Sequence, residues 1–220
     1  MNFSRIAGCP FCDEFFDGGD NSESALLNDI GIKSRVIYRD NDFVVFPTIG
    51  GFIPGYILLA TIKHYPCFGA LNDYELSKAQ ELITKFKSVI RDIYGTDCVI
   101  FEHGMLSCGY KYGGCIDHAH IHFIPLSEPI ISSIESYGMN IKKIDSLDQI
   151  RKCYKDGSPY LFLSDVDGTY YEIHNIVIPS QFLRQVICKK IGMEQYWNWH
   201  VYDFKENLAL TLEQFQDFMQ

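Results

Sequence analysis

The chain lacks any apolar run long enough to span a membrane, and its first residues lack the basic-then-apolar profile of a secretion signal. A cytoplasmic location is expected, and there its eight cysteines read as thiols or metal ligands, not as a disulfide framework. Positive charge is also scarce. Nineteen Lys and Arg face 28 Asp and Glu, a formal net charge of −9. A general nucleic-acid surface needs a basic footprint, so a long nucleic acid is not expected as a partner. A small nucleotide is not excluded, because backbone N–H groups and imidazole can hold its phosphates. Nor is the chain poor in apolar residues: hydrophobic types make up 47% and charged ones 21%, a balance that excludes disorder. Its 220 residues suit one large domain, or a domain with a sizeable extension.

What is present converges on Asp117-His118-Ala119-His120-Ile121-His122-Phe123-Ile124-Pro125. Alternation at period two marks a half-buried strand. On a strand His118, His120 and His122 project from one face, with Ala119, Ile121 and Phe123 on the other. Three imidazoles in register suit metal ligation or phosphoryl chemistry, since each ring can be ligand, proton carrier or nucleophile near neutral pH. The bland reading is a buried strand whose histidines are satisfied by neighbours, but three buried polar rings together are costly.

Cys9-Pro10-Phe11-Cys12 opens the chain. A lone Cys-x-x-Cys is ambiguous among a zinc site, a redox pair and coincidence. The redox reading wants a following helix in a βαβ context, whereas Asp17-Gly18-Gly19-Asp20 reads as a loop. Zinc wants two further N or S ligands, for which His64 and His118 are the candidates.

Between these motifs, residues 35–38 and 43–46 are β-rich runs around the hairpin signal Arg39-Asp40-Asn41-Asp42, and 56–61 is a third strand. The 73–94 segment repeats apolar residues at helical spacing, with a capping pair Asn72 and Glu75 and Gly95 just past its end. Residues 98–102 and 118–124 complete about five strands. The expected fold class is α+β, an antiparallel sheet with one long helix, carrying a mixed α/β C-terminal extension packed on it. The expected division is a catalytic domain over 1–128 and an extension over 129–220.

The histidine stretch resembles the histidine-triad (HIT) superfamily signature, His-φ-His-φ-His-φ-φ with φ apolar, at every position, and the likeness covers about residues 9–125. It implies the HIT-like fold and a nucleotide hydrolase or transferase, with a purine nucleotide derivative as substrate and a homodimer as the assembly. It implies that His120 is the nucleophile attacking an α-phosphorus, with His118 and His122 orienting phosphate oxygens. Zinc-bearing members have two N-terminal cysteines, a histidine closing the strand before the long helix, and the first triad histidine. That set corresponds here to Cys9, Cys12, His64 and His118 around a structural Zn²⁺. Nucleotide contacts fall by the same likeness on Gly113, Gly114 and Cys115, just before the triad, and on Phe46 and Thr48. Many HIT hydrolases carry an Asp for the ribose hydroxyls where this chain has Thr48, and one hydroxyl cannot accept two hydrogen bonds as a carboxylate does. The phosphoramidate, dinucleoside polyphosphate and acyl adenylate classes stay open as substrates. Two rival functions stand beside this one: a nucleotide-binding regulatory module without turnover, and a metal-dependent enzyme using the histidines as ligands. His103 either points toward the site or caps its loop.

The extension is expected to be structured. A short helix is predicted near 146–154, strands over 160–163 and 169–173, and a helix from Pro179-Ser180 to Ile191 that stops at Gly192. Trp197, Trp199, Tyr202 and Phe204 either fill a seam against the first domain or stack on a base. Asp165-Val166-Asp167-Gly168-Thr169 resembles the first motif of haloacid-dehalogenase phosphatases. Only about fifty residues follow, with no paired acidic motif among them, so Asp-Gly between two β-rich runs reads as a hairpin turn.

Overall fold

Helix α3, Asp73–Tyr94, carries the strongest local signal, and it forms over the expected span. The Asn72 side chain accepts from the Glu75 N–H at 2.9 Å, and the Glu75 carboxylate accepts from the Asn72 N–H at 3.2 Å. Gly95 ends the helix in the left-handed region at φ 66°, where a Cβ would be strained. The computed structural model describes residues 5–16, 25–104, 116–174 and 179–219 of the chain.

The buried stripe of α3 lies on one face of an antiparallel sheet. Strands β1 (Tyr38–Arg39), β2 (Phe43–Pro47), β3 (Ile57–Thr61), β4 (Cys98–Gly104) and β5 (His120–Pro125) lie in the order β1-β2-β3-β5-β4. The first hairpin turns at Asp40, whose carboxylate accepts from the N–H groups of Asp42 and Phe43. Side-chain capture of this kind is why Asp and Asn favour turns.

The sheet does not stop at about five strands. Strands β6 (Asn140–Ile144), β7 (Tyr160–Ser164) and β8 (Tyr170–His174) continue it, giving eight in the order β1-β2-β3-β5-β4-β7-β8-β6. Thus the extension lengthens the sheet edge to edge as well as packing on it. The physical reason lies in β4 and β7. Every residue of β7 is buried, as is every residue of β4 except His103, so each strand needs a partner along its whole length. Tyr160 of β7 reinforces the join by donating its hydroxyl to Glu102 of β4 at 2.7 Å. The same hydroxyl accepts from the Gly69 N–H. Burial pushes the Glu102 carboxyl up to about 7.

The remaining helices cover the two faces. With α3 on one side lie α5 (Ile150–Lys155) and α7 (Lys205–Met219), the latter placing Phe215 against Phe86 and Tyr94. On the other side α1 (Pro10–Phe15) and α6 (Phe182–Lys190) cover a second apolar cluster. Short helices α2 (Ala25–Asp29) and α4 (Ile131–Glu135) complete the described set. Helices α1, α4 and α7 and strand β6 were not foreseen. In α7 the spacing of Leu208, Leu212 and Phe215 is helical, while β6 reads Asn-Ile-Lys-Lys-Ile, too polar to announce a strand. Ser146 precedes a 3-10 turn, Leu147–Gln149, without a side-chain cap.

The Asp165–Thr169 segment is the β7–β8 turn, closed by Asp165 N–H to the Thr169 carbonyl. The Asp165 carboxylate is buried and accepts from the N–H groups of Ile130, Ile131 and Val166, so its oxygens are taken up at the start of α4. The aromatic segment lies along the seam with the first domain. A Cβ on Gly50 would come within 2.4 Å of the Trp199 Cβ, and the Gly50 N–H donates to the Asp203 carbonyl at 2.7 Å. Among the described residues no helix is long and apolar enough to cross a membrane.

Candidate active site and metal cluster

Strand β5 lies between β3 and β4, with His122 registered against Leu58 and Phe101 and His120 against Ala60. Paired residues of an antiparallel ladder share a face. Both rings therefore project on the α1 and α6 side, away from α3, with centroids 4.8 Å apart. His118 lies just before the strand. The Phe11 ring meets His118 and His120 edge-on, at 5.6 and 5.3 Å.

The three histidines have different surroundings. His118 is buried, its Nε2 2.7 Å from the Thr61 carbonyl and its Nδ1 3.4 Å from the Cys9 sulfur and 3.6 Å from that of Cys12. His120 is partly exposed, with Nδ1 2.5 Å from the carbonyl of His118. That carbonyl only accepts, so Nδ1 carries the proton and Nε2 keeps its lone pair. Burial lowers His120 below the usual imidazole value, against the opposing effect of this hydrogen bond. His122 stacks on Phe101 at 4.4 Å, and its Nδ1 lies 2.8 Å from the Tyr56 hydroxyl. Burial drives it well below the usual value, helped by His120, His103 and Arg184. His103 lies on the same face, its ring 6.4 Å from that of His122, and burial holds it down at about 3. All of these rings are neutral near pH 7.

Tyr56 and Arg184 were missed from the sequence. Tyr56 had a signal: it precedes Leu58 and Ala60 at period two, on the face that carries His122 and His120. Arg184 had none, because it comes from α6. It is buried, donates to the carbonyls of Trp197 (2.8 Å) and Gly50 (2.6 Å), and lies over the rings of Phe52 and Tyr56.

The other nucleotide candidates are more scattered. Phe46 is fully buried, with Phe15 at 4.5 Å, Phe11 at 5.3 Å and the Arg35 guanidinium 4.4 Å over its ring. Thr48 is nearly buried, and its hydroxyl donates to the Ile49 carbonyl at 3.0 Å. Gly113, Gly114 and Cys115 lie outside the described residues.

Cys9, Cys12, His64 and His118 converge, with all ligand atoms within 4.8 Å of one another and every residue buried. Pro10 at the start of α1 turns the chain so that Cys9, its N-cap, and Cys12 face inward together. Sulfur–nitrogen distances of 3.4 Å (Cys12 to His64) and 3.4 and 3.6 Å (to His118) match the edge of about 3.5 Å that tetrahedral zinc would set between S and N donors. The His118 Nε2–H donates to a backbone carbonyl, the outer contact that fixes a ligating imidazole. Burial pushes the Cys9 thiol up to about 12, and a divalent cation reverses that preference by stabilising thiolate. The cluster can hold a metal ion such as zinc.

A histidine strand at the centre of an α+β antiparallel sheet with a long helix is the architecture that the histidine-triad likeness implies. The family model described as scavenger mRNA decapping enzyme C-terminal binding matches residues 25–135, half of the chain, and the chain belongs to that family within the HIT superfamily. Similar solved structures include a HIT family protein from Bacillus anthracis, at 20% identity over 56% of this chain and 75% of that one, with a TM-score of 0.40. A histidine-triad nucleotide-binding protein from Sulfolobus tokodaii is 20% identical over 46% of this chain and 66% of its own, with a TM-score of 0.37. Yeast Ap4A phosphorylase in complex with AMP is 14% identical over 68% and 63%, with a TM-score of 0.39. No curated protein matches the chain.

Proposed function

We propose that the protein is a nucleotide hydrolase or nucleotidyl transferase acting at an α-phosphorus through a covalent nucleotidyl-His120. The observation that carries this reading is the 2.5 Å contact of His120 Nδ1 with the carbonyl of His118, which leaves Nε2 as a neutral nucleophile in a fixed orientation. Nε2 bonds to phosphorus as the bond to the leaving-group oxygen breaks. Water then attacks phosphorus, the N–P bond breaks, and the nucleoside monophosphate departs with the water oxygen while a proton goes to solvent. His122 supplies a hydrogen bond to a phosphate oxygen, preorganised by Phe101 and Tyr56. His118 has its nitrogens toward Thr61 and the cysteines, so its share is structural, with Zn²⁺ held by Cys9, Cys12, His64 and His118. The family's decapping description favours a dinucleoside polyphosphate over the other two substrate classes, because an mRNA cap is itself a dinucleoside triphosphate. A purine base fits that class.

The rival metal-dependent mechanism is disfavoured by geometry: among the described residues, His120 and His122 belong to no group of three converging metal ligands. The rival binding module differs from an enzyme in forming no adduct. Intact-mass spectrometry after mixing with a dinucleoside polyphosphate is expected to show one nucleotidyl adduct per chain in the wild type and none in His120→Asn. Full turnover by His120→Asn would sink the assignment.

Three further readings rest on the same basis. A cytoplasmic protein agrees with cysteines that, among the described residues, form no disulfide and stand as thiols or metal ligands. A functional division into 1–128 and 129–220 places all three triad histidines in the first part. A homodimer would use a surface other than the outer edge of β4, which β7 already covers.

A further inference from the structure

Outside the triad face, a second set of mixed ligands converges within the extension. Cys153 on α5 and Glu172 and His174 on β8 bring their ligand atoms within 4.8 Å of one another. Cys153 and Glu172 are buried, and His174 is partly exposed. The His174 Nδ1 lies 3.1 Å from the Pro159 carbonyl, and its Nε2 lies 2.5 Å from Glu172 Oε1. Both ring nitrogens thus face oxygen acceptors, whereas a neutral imidazole has a single N–H. The second contact needs an added cation, either a proton or a metal ion.

The sulfur adds a third donor of the kind a metal ion takes. Cys153 Sγ lies 4.0 Å from the same Nε2 that faces Glu172. The thiol already hydrogen-bonds the Glu172 carboxylate, so the sulfur stands within the pair, and thiolate, imidazole and carboxylate together form a donor set that suits zinc. The Pro159 carbonyl holds Nδ1–H and directs Nε2 inward, as an outer contact does for a ligating histidine. The other oxygen of Glu172 faces Lys142 at 3.7 Å, which leaves Oε1 for the site.

We propose that Cys153, Glu172 and His174 form a second zinc site, with the fourth position open to solvent beside His174. Binding releases the thiol proton of Cys153 and the proton shared between Nε2 and Oε1. The Nε2–Oε1 separation opens to about 3.4 Å and the sulfur closes to about 3.5 Å from Nε2, the edges of a tetrahedral zinc site. The ion clamps α5 to β8, and it stands apart from the Cys9, Cys12, His64 and His118 cluster and from the proposed nucleotidyl transfer.

The test is zinc content by native mass spectrometry, on the full chain equilibrated with zinc and then freed of excess. The variants are His174→Gln, Cys9→Ser with Cys12→Ser, and the three substitutions combined. His174→Gln is expected to lose one zinc relative to wild type, and the double serine variant to retain one zinc that disappears in the combined variant. An unchanged zinc count on replacing His174 would overturn the proposal and leave a plain imidazolium–carboxylate pair. Should the serine variants not fold, the comparison of wild type with His174→Gln still decides, with circular dichroism confirming that both are folded.

Discussion

A tyrosine hydroxyl 2.8 Å from His122 Nδ1 does for that ring what a backbone carbonyl does for its neighbour: it fixes the orientation of the ring at Nδ1. The Tyr56 ring is itself held, edge-on to Phe52 and under the Arg184 guanidinium. Removing the hydroxyl alone therefore loosens His122 without opening the core. For Tyr56→Phe we expect kcat to fall roughly ten-fold, the equivalent of one hydrogen bond of about 1.4 kcal/mol, with KM and the melting temperature little changed. Steady-state kinetics with a dinucleoside polyphosphate would check this; a wild-type kcat would show that Tyr56 does not position His122. At this scale the sequence was most legible where one strand carried the pattern. His118, His120 and His122 stood out by their period of two, and the Cys-x-x-Cys began a cluster that two further segments, at His64 and His118, then complete. Arg184 was illegible because its approach depends on how a distant helix crosses the sheet, which no local spacing encodes.

Elements differed in the same way. Helix α3 was readable to the residue because its ends carry chemistry of their own: a reciprocal cap at Asn72 and Glu75, and a left-handed glycine at 95. Asn72→Ala removes the acceptor for the Glu75 N–H and should cost about 1 kcal/mol of stability, read as a lowered urea midpoint with an unchanged m-value. An unshifted midpoint would mean that the Glu75 carboxylate, also bound by the Tyr65 hydroxyl, suffices to hold the helix start. Helix α1 was hidden because it is short and its cysteines drew attention to chemistry instead of conformation. Strand β6 was hidden because an edge strand with one wet face can be mostly polar, and its lysines suit an edge that must not recruit another strand.

For the molecule as a whole, the histidine-bearing half was legible in kind, but the continuation of its sheet into the extension was not. The run 160–163 read as one arm of a hairpin in the extension, and in the fold it pairs with β4. A chain ending after residue 128 would bare that strand's outer edge, from Ile100 to Gly104, along with the apolar neighbours now under α6. Such a fragment is expected to self-associate or precipitate, which size-exclusion chromatography with light scattering would report. A stable, monodisperse and active fragment would show that the first half stands alone.

The register of the ladder carries one more consequence. Phe46, Leu58, His122, Phe101, Leu163 and Tyr171 are successive cross-strand partners, a single row running through β2, β3, β5, β4, β7 and β8. The histidine face and the last third of the chain therefore share one backbone lattice. Whatever bends the far strands tilts the row on which the His122 ring rests, so the extension and the histidine face move as one sheet.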